Sequence, residues 1–388
     1  MAGSAGELKS RYDAVVVGAR CAGAATAMLL ARRGLDVLVV EQGERGSDTL
    51  STLALMRAGV LQLSRWGLLD GVRAVTPAIR TTTFHYGEEA VEVRIKSRDG
   101  VDALYAPRRT VLDPLLADAA QAAGADVAYR TRLVDLQRDR RGRVRGAIIE
   151  GRDGAPRPIA AGIVIGADGV QSIVARLCVT EPQRVGAHAG SVIYTFCPGL
   201  DVEGYHWHYA AGVSAGVIPT GGGDVLVFAA VPRPRFMREL RFDLPAAFHG
   251  VIEAAAPLLA QAVRAAAPAG PYRGFAGQTG YLRPAWGAGW ALVGDASYFK
   301  DPITAHGISD ALRDAELLAR AVEGGADADF AAYQAVRDEL SLPLFEYTDE
   351  IASFAWDFAR LQTLHKKMSD EMAKEVRYLR ELAEVVKG

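Results

Sequence analysis

The apolar and polar positions near the start of the chain predict a strand, a helix and a second strand in succession. Residues 12–18 are almost entirely apolar and predict a buried strand, and the alanine-rich residues 23–33 predict a helix. Residues 35–40 are again apolar and β-branched, and they end at Glu41. This order predicts a β-α-β unit.

The rest of the chain contains runs in which apolar and polar residues alternate, runs that are fully apolar, and runs with the amphipathic pattern of a helix. Residues 80–86 and 91–96 alternate around Gly87, which predicts a hairpin. Residues 185–232 are rich in β-branched, aromatic and glycine residues, which favours an antiparallel sheet. Strands are also predicted at 133–138 and 144–150, and helices at 110–123, 308–322 and through much of 330–388.

These segments predict two interleaved lobes in an α/β fold. The first lobe contains the β-α-β unit, and the second contains the antiparallel sheet. The apolar stripe of the last helices either closes the second lobe or forms the contact of a homodimer. The predicted parts are 1–78, 100–184 and 277–325 for the first lobe, 79–99 and 185–276 for the second, and 326–388 for the C-terminal helices.

Composition and charge limit the classes of protein to which the chain can belong. The 388 residues are 50% hydrophobic, enough for a large core, and the formal net charge of −2 gives no basic field for nucleic acid or an anionic membrane. Cys21, Cys178 and Cys197 are widely spaced, which predicts free thiols, no structural metal and a reducing compartment. The apolar runs are too short to span a membrane and the first residues lack a signal-peptide pattern, so the cytoplasm is the expected location.

The turn between the first strand and the first helix is a candidate ligand site. Gly18 allows a tight turn, and Gly23 allows the helix to pack closely on the strand. The backbone N–H groups and dipole of a helix start bind the pyrophosphate of a dinucleotide. Glu41 ends the second strand at about the spacing, roughly 20 residues, where a carboxylate binds ribose hydroxyls. The unit therefore predicts dinucleotide binding.

Arg20 departs from this pattern because it stands where such a turn normally has its second glycine. A side chain at this position either reaches solvent or itself contacts the phosphate. A guanidinium beside a pyrophosphate forms charge-assisted hydrogen bonds of about 1.5–3 kcal/mol each. We interpret the turn as a variant that still binds a nucleotide, with both orientations of Arg20 open.

Three more segments contain a charged residue at the start of a helix or in a glycine-containing turn. Arg109 begins the helix of "APRRTVLDPLL", Asp168 lies in the glycine-flanked turn of "GADGVQS", and Asp295 follows Gly294 in "LVGDASYFKDPITAHG". An aspartate before a glycine is common in any tight turn. The ordered set of four motifs is much more specific than each motif alone.

With these motifs, residues 12–325 resemble the FAD-dependent monooxygenases of the para-hydroxybenzoate hydroxylase type and their relatives, the flavin halogenases and geranylgeranyl reductases. The resemblance implies a Rossmann-like FAD-binding domain interleaved with an antiparallel-sheet substrate domain and followed by C-terminal helices. It implies that Glu41 binds the adenosine ribose and that Arg109 contacts the phosphate and ribityl region. Asp295 would hold a ribityl hydroxyl.

The loop before residue 308 is expected to contact the edge of the flavin ring. A helix that opens at Gly307 directs backbone N–H groups at what lies before it, and a reduced flavin carries negative charge at its N1/O2 edge. His306 either adds positive charge there or is a turn residue that faces solvent. Pro302, His306 and Gly307 are the predicted catalytic residues.

The remaining cofactor residues are assigned by motif or by position. Asp168 belongs to the motif that supports both FAD and passing NAD(P)H, whereas Arg45, Thr49 and Thr52 are placed near phosphate or flavin by position alone. The complete predicted set is Gly18, Ala19, Arg20, Cys21, Ala22, Gly23, Glu41, Gln42, Arg45, Thr49, Arg109, Leu133, Val134, Asp168, Gly169, Gly294, Asp295, Pro302, Ala305, His306, Gly307 and Ile308.

The resemblance implies a monooxygenase reaction. FAD would take hydride from transiently bound NAD(P)H, react with O2 to a C4a-hydroperoxide, and hydroxylate or epoxidise a small aromatic or polycyclic substrate without any metal. Residues 221–223 predict a hairpin turn and not a second nucleotide site. A reductase of prenyl double bonds is the main alternative. Halogenation is less favoured, because the W-x-W-x-I-P sequence and the lysine of the halogenases have no counterpart here.

The substrate is expected between the flavin and the second lobe. Alternate residues of a strand share a face, so in "YHWHY" either His206 and His208 or Tyr205, Trp207 and Tyr209 face the cavity. Aromatic residues suit a flat ligand, but ordinary cross-strand pairs also explain them. The predicted substrate residues are His206, His208, Tyr209 and Ile218.

Overall fold

A computed structural model of the chain describes residues 8–51 and 53–384. Within them the strands are β1 (Arg11–Val17), β2 (Val37–Glu41), β3 (Thr81–Tyr86), β4 (Glu89–Arg94), β5 (Asp126–Tyr129), β6 (Arg132–Arg138), β7 (Val144–Glu150), β8 (Pro156–Gly166), β9 (Arg184–Val185), β10 (Gly190–Pro198), β11 (Tyr205–Ala210), β12 (Val213–Pro219), β13 (Asp224–Pro232), β14 (Ala269–Phe275), β15 (Tyr281–Leu282), β16 (Trp286–Gly287), β17 (Trp290–Leu292) and β18 (Tyr298–Phe299). The helices are α1 (Cys21–Ala31), α2 (Arg57–Arg65), α3 (Leu69–Arg73), α4 (Arg109–Ala122), α5 (Ile173–Leu177), α6 (Arg233–Arg235), α7 (Leu244–Ala255), α8 (Pro257–Ala265), α9 (Gly307–Gly324), α10 (Asp327–Ala352) and α11 (Phe358–Glu384).

The first sheet is built around the predicted β-α-β unit. Its strand order is β16-β17-β8-β1-β2-β5, and the β6–β7 hairpin continues from β8. Strand β1 pairs in parallel with β2 on one side and β8 on the other. Helices α1, α4 and α9 cover one face, and β6, β7 and α5 cover the other. Both faces are buried, which explains why these strands are apolar without alternation.

The second sheet has the order β14-β10-β13-β12-β11-β3-β4. Its strands pair antiparallel except that β11 pairs in parallel with β3. Helices α7 and α8 pack on one face. Helix α11 and residues 303–305 pack against the other face, so this sheet is positioned directly beside the loop that precedes α9.

The α/β fold class, with its two interleaved sheets and C-terminal helices, is confirmed. The first sheet takes strands from three separated stretches of the chain, as predicted, because β3 and β4 leave it for the second sheet. The domain boundaries themselves remain a prediction. Among the helices of residues 8–51 and 53–384, none combines the length and apolar composition that a bilayer span requires.

Candidate active site

The glycine turn after β1 is sterically fixed. Gly18 has φ of +105°, and a Cβ added there would lie 2.5 Å from the carbonyl oxygen of Ala167. A Cβ added to Gly23 would lie 1.9 Å from the carbonyl oxygen of Gly18. Both positions therefore require glycine so that α1 can start directly above the sheet.

A groove of about 390 Å³ begins at this turn and crosses the ends of β1, β2 and β8. Arg20, the residue before α1, makes no side-chain cap hydrogen bond, so the first N–H groups of the helix are left for a ligand. Val134 is 39% exposed and does not line the groove. The predicted residues that do line it are Gly18, Arg20, Glu41, Gln42, Leu133, Asp168 and Gly169.

Glu41 closes the turn from the second strand. One of its carboxylate oxygens accepts a hydrogen bond of 2.9 Å from the N–H of Ala19, and the other accepts one of 2.7 Å from the N–H of Gly43. The carboxylate is thus held at the edge of the groove with lone pairs left for ribose hydroxyls. An open helix start, a glycine cradle and an oriented carboxylate fit the adenosine and pyrophosphate of a dinucleotide.

The two arginines near this turn have different environments. Arg20 lines the groove and donates a hydrogen bond to the hydroxyl of Thr49, so its side chain does not simply extend into solvent. Arg45 instead forms an exposed ion pair with Asp118 on α4 and does not line the groove, and its contact with phosphate stays a prediction. Thr52 lies outside the described residues.

Arg109 is held in a buried cluster that the motif alone did not reveal. Its Nη2 lies 2.8 Å from Oδ1 of Asp113, one turn later on α4, and the thiol of Cys21 donates to the same oxygen over 3.1 Å. Burial raises the pKa of Cys21, so the thiol stays protonated. Oδ2 of Asp113 is buried without a hydrogen-bond partner among the described residues. The spacing of Arg109 and Asp113 on one helix face was the available signal.

The two motif aspartates also differ. The carboxylate of Asp168 accepts hydrogen bonds of 2.5 Å from the hydroxyl of Ser172 and 2.6 Å from the N–H of Ile173, so it caps α5 while lining the groove. Burial raises the pKa of Asp295 to about 6, although the charges of Lys300 and Arg109 oppose the shift. With this pKa Asp295 is still mostly ionised at neutral pH, and its carboxylate can accept a hydrogen bond from a hydroxyl.

A short turn carries the chain from Asp301 into α9. Asp301 accepts hydrogen bonds from the N–H groups of Ile303 (2.9 Å) and of Gly190 (2.5 Å), which ties the turn to the second sheet. Ala305 follows in the left-handed conformation, with φ of +50°, and is buried. Gly307 is exposed, and a Cβ added there would meet nothing among the described residues within 4 Å. The start of α9 therefore faces open space.

His306 does not face solvent, which excludes one of the two alternatives left by the sequence. It is 1% exposed, and its Nε2 lies 2.8 Å from Oε2 of Glu375 on α11. Burial disfavours the charged form of Glu375, but His306 and Arg313 outweigh burial and lower the pKa of Glu375 to about 2. Burial also lowers the pKa of His306, which Glu375 partly offsets. Nδ1 of His306 has no partner among the described residues.

A cavity of about 610 Å³ adjoins this turn. The second sheet contributes its aromatic side chains, α11 contributes methionines and His365, and the turn contributes its own residues. Burial lowers the pKa of His365 to about 4, so the cavity carries no positive imidazole there at neutral pH. The lining of the cavity includes Tyr86, Tyr205, Trp207, Tyr209, Thr304, His306, His365, Met368 and Met372.

The structure decides which face of β11 meets the cavity. Tyr209 lines the cavity as predicted, together with Tyr205 and Trp207. His206 and His208 do not line it and lie on the opposite face of the strand beside His85, so the structure does not favour their assignment to the substrate. Ile218 is fully buried in the cluster behind the aromatic residues.

The other predicted residues support the site from within. Ala22 packs against Gly294, where an added Cβ would lie 2.9 Å from the Cβ of Ala22, and Ile308 packs partly buried in the core under α9. Pro302 opens the turn before α9. The turn, α1 and α9 thus converge, while their contacts with a cofactor remain predictions.

Comparison with known families gives an independent result. The model of the family described as FAD binding domain matches residues 11–339, which is most of the chain. Digeranylgeranylglycerophospholipid reductase 2 of Methanothermobacter thermautotrophicus is 29% identical over 348 residues, 81% of this chain and 80% of that protein. A probable electron transfer flavoprotein-quinone oxidoreductase of Escherichia coli, YdiS, is 30% identical over 233 residues, 55% of this chain and 51% of that protein. The chain thus aligns with about half the length of YdiS.

Solved structures show the same fold. The flavin-dependent brominase Bmp2 has a TM-score of 0.80 at 19% identity, covering 94% of this chain and 93% of the brominase. The probable FAD-dependent monooxygenase pqsL of Pseudomonas aeruginosa has a TM-score of 0.78 at 24% identity, covering 92% of this chain and all of that chain, 100%.

Proposed function

This chain belongs to the FAD binding domain family, and we propose that it is a monooxygenase that inserts one oxygen atom into a compact, flat organic substrate. It is an FAD-dependent oxidoreductase. The finer reaction is our proposal, with NADH or NADPH as the transient reductant and O2 as the oxidant.

The described residues fit FAD along one continuous path. The first N–H groups of α1 and the Arg20 side chain would hold the pyrophosphate, and Glu41 the adenosine ribose. Asp295 would hold a ribityl hydroxyl, and the open start of α9 at Gly307 would meet the N1/O2 edge of the ring. When bound, FAD supplies the hydride and oxygen chemistry that amino-acid side chains lack.

The cavity is the observation that carries the proposal. At about 610 Å³ it has the size of pockets for compact organic molecules. Tyr205, Trp207 and Tyr209 present an aromatic wall from β11, against which a planar molecule stacks well. The methionines of α11 form the opposite wall, and apolar walls of this kind would limit the access of water, which otherwise diverts oxygen chemistry to peroxide.

His306 and Glu375 are suited to hold a proton at the cavity wall. The Glu375 carboxylate accepts the Nε2–H and orients the imidazole, so the unpartnered Nδ1 carries the lone pair and is the atom that can take a proton from a ligand. A buried carboxylate–imidazole pair has a fixed tautomer and geometry. We assign Glu375 a positioning role and His306 the proton transfer.

A reductase of unsaturated substrates is the second candidate. The match to a digeranylgeranylglycerophospholipid reductase over 80% of that protein favours it. A reductase needs the same cofactor path and the same proton at His306, but it needs no oxygen. The two reactions are therefore distinguished by the fate of O2 and not by the binding site.

Isotope labelling tests the proposal. The FAD-loaded protein is supplied with NADH or NADPH and a panel of phenols, quinols and prenylated quinones, under 18O2 and, in parallel, without oxygen. We expect a product that gains one 18O atom and forms only when O2 is present. Product that forms equally well without O2, with the mass of a hydrogenated substrate, would establish the reductase instead.

A further inference from the structure

Three histidines meet on the face of the second sheet that points away from the cavity. His85 lies on β3, and His206 and His208 lie on β11, where His208 pairs directly with His85 across the parallel strands. One ring nitrogen of each lies within 4.8 Å of the other two. All three side chains are half-buried, so solvent and ions can reach them.

Hydrogen bonds already orient two of these rings. Nε2 of His206 lies 2.9 Å from the carbonyl oxygen of Glu203. Because a carbonyl only accepts, this nitrogen carries the proton, and Nδ1 of His206 carries the lone pair. A metal-binding histidine commonly donates its second ring N–H to a backbone carbonyl in this manner, which fixes its tautomer.

The spacing of the nitrogens suits a tetrahedral ion. Nδ1 of His206 lies 3.0 Å from Nε2 of His85. Two nitrogens bound to one Zn²⁺ at about 2.0–2.1 Å stand about 3.3 Å apart in tetrahedral geometry. The ring of His208 stacks nearly parallel on that of His85, with centroids 4.1 Å apart and planes 5° apart, so one of the two rings must rotate about its side-chain bonds to direct a nitrogen at the same ion.

We propose that His85, His206 and His208 bind a divalent first-row metal ion that prefers imidazole ligands, for which Zn²⁺ is the test ion. Water completes the coordination from the open side. His85 moves its proton from Nε2 to Nδ1 when the ion binds, so the ion takes three neutral ligands and no proton is released. The site stands behind the cavity, on the opposite face of β11, and goes beyond the proposed flavin reaction.

The second cluster of this kind in the described residues has different chemistry. His306, Asp310 and Glu375 lie close enough to share an ion. Their carboxylates are already paired with the buried cations Lys300 and Arg313, so an added cation would be repelled there. The histidine cluster differs in its contacts: among the described residues, the rings of His85, His206 and His208 contact one another and the carbonyl of Glu203, and no ion pair with a cation involves them.

Zinc binding by the tag-free, FAD-loaded protein tests the site. After chelator treatment the protein is dialysed against Zn²⁺, and bound zinc and flavin are measured by elemental analysis and absorbance. We expect about one Zn²⁺ per chain in the wild type, and at least tenfold weaker binding in His85→Gln and in His208→Gln. The control His249→Gln removes a histidine outside the cluster and should bind zinc as the wild type does, and flavin content should be equal in all four proteins.

Two results would overturn the proposal. The first is equal zinc binding by the wild type and the two cluster variants. The second comes from X-ray absorption of zinc-loaded wild type, which does not depend on whether a variant folds. We expect a shell of three imidazole nitrogens at about 2.0–2.1 Å, and a shell dominated by oxygen would contradict the site.

Discussion

At the scale of single residues, the site depends on glycines at positions where a larger side chain would clash with the backbone. Gly18 and Gly23 leave no room for a Cβ because backbone oxygens lie against them, whereas Gly307 faces open space. The first two glycines are needed by the fold itself, and the third is needed only if a ligand approaches. Substituting them one at a time separates folding from cofactor binding.

Gly23→Ala is expected to lower the free energy of unfolding by about 1–3 kcal/mol, because the new methyl group overlaps the carbonyl oxygen of Gly18. Gly307→Ala should leave that free energy unchanged or raise it by up to about 1 kcal/mol, because alanine favours a helix, while FAD binding weakens. Denaturant unfolding and flavin titration of both variants measure this. Equal flavin affinity in Gly307→Ala and wild type would place the ring elsewhere.

Asp295→Ala is expected to be purified without FAD, because the variant lacks the acceptor proposed for a ribityl hydroxyl. The absorbance ratio of flavin to protein measures occupancy. Asp301→Asn is not a suitable control because Asp301 supports the adjacent turn, so the exposed Asp327→Ala on α10 serves instead. Full occupancy in Asp295→Ala would show that this residue is misassigned.

His365 gives the cavity a pH dependence. Its pKa is about 4 in the folded chain because of burial, against 6.5 for a free histidine. Between these values the unfolded chain binds a proton that the folded chain does not, so stability falls as the pH drops from 6.5 towards 4. In His365→Gln we expect this fall to be smaller by on the order of 2 kcal/mol. Urea unfolding at pH 7 and pH 4.5 tests this, and parallel curves for both proteins would contradict it.

Sequence reasoning at this scale is most informative where the constraint is local. The glycines, Glu41 and the Asp295 turn are readable because one strand, one turn and one helix determine them. The ion pair of Arg45 was not predicted because its partner, Asp118, lies on a helix from a distant part of the chain. The partner of His306, Glu375, is also too distant in sequence for a local pattern to reveal.

At the scale of elements, α11 determines the shape of the cavity. The family match ends at residue 339, whereas Met368, Met372 and His365 on α11 form one wall. Helix α11 therefore shapes the cavity in which the proposed substrate would bind. The apolar stripe of the C-terminal region is explained by this packing, and a homodimer remains a prediction.

Met372→Trp is expected to fill part of the cavity. The larger side chain should raise KM or abolish product formation while flavin content stays unchanged, because the groove lies on the first sheet. Asp370→Trp, on an exposed position of the same helix, is the matched control. Loss of flavin in Met372→Trp, or normal turnover in it, would argue against this cavity as the substrate site.

Strand β11 shows why the alternation of its residues did not by itself predict which side chains line the cavity. Alternate residues of β11 point to opposite faces of the sheet, but the sequence does not indicate which face meets the cavity. Packing of α7 and α8 on one face of the sheet and of α11 on the other decides the choice. The cluster of His85 with His206 and His208 was hidden for the same reason, because the pairing of β3 with β11 joins distant segments.

At the scale of the whole molecule, a buried ionic network joins the last three helices beneath the turn that precedes α9. Arg313 on α9 is fully buried and lies 3.0 Å from Oε1 of Glu375, 2.7 Å from Asp314 and 2.9 Å from the hydroxyl of Ser341 on α10. Lys300 pairs with Asp310 at the same place. The network fixes α11, and therefore the cavity, relative to the first sheet.

Glu375→Gln is expected to lower the free energy of unfolding by about 3–5 kcal/mol, because Arg313 loses a charged partner while it stays buried. Glu381→Gln, at an exposed position of α11, should change it by less than about 0.5 kcal/mol. Thermal and denaturant unfolding of the two variants provide the comparison. A similar small effect in both would mean that the network does not hold α11.

The most direct measurement is the crystal structure of the protein loaded with FAD. We predict one FAD per chain, with its ribose at Glu41, its pyrophosphate at the start of α1, and its ring at Gly307 beside the aromatic cavity. Electron density for FAD at another position, or for a nicotinamide nucleotide in this groove under excess FAD, would contradict the account.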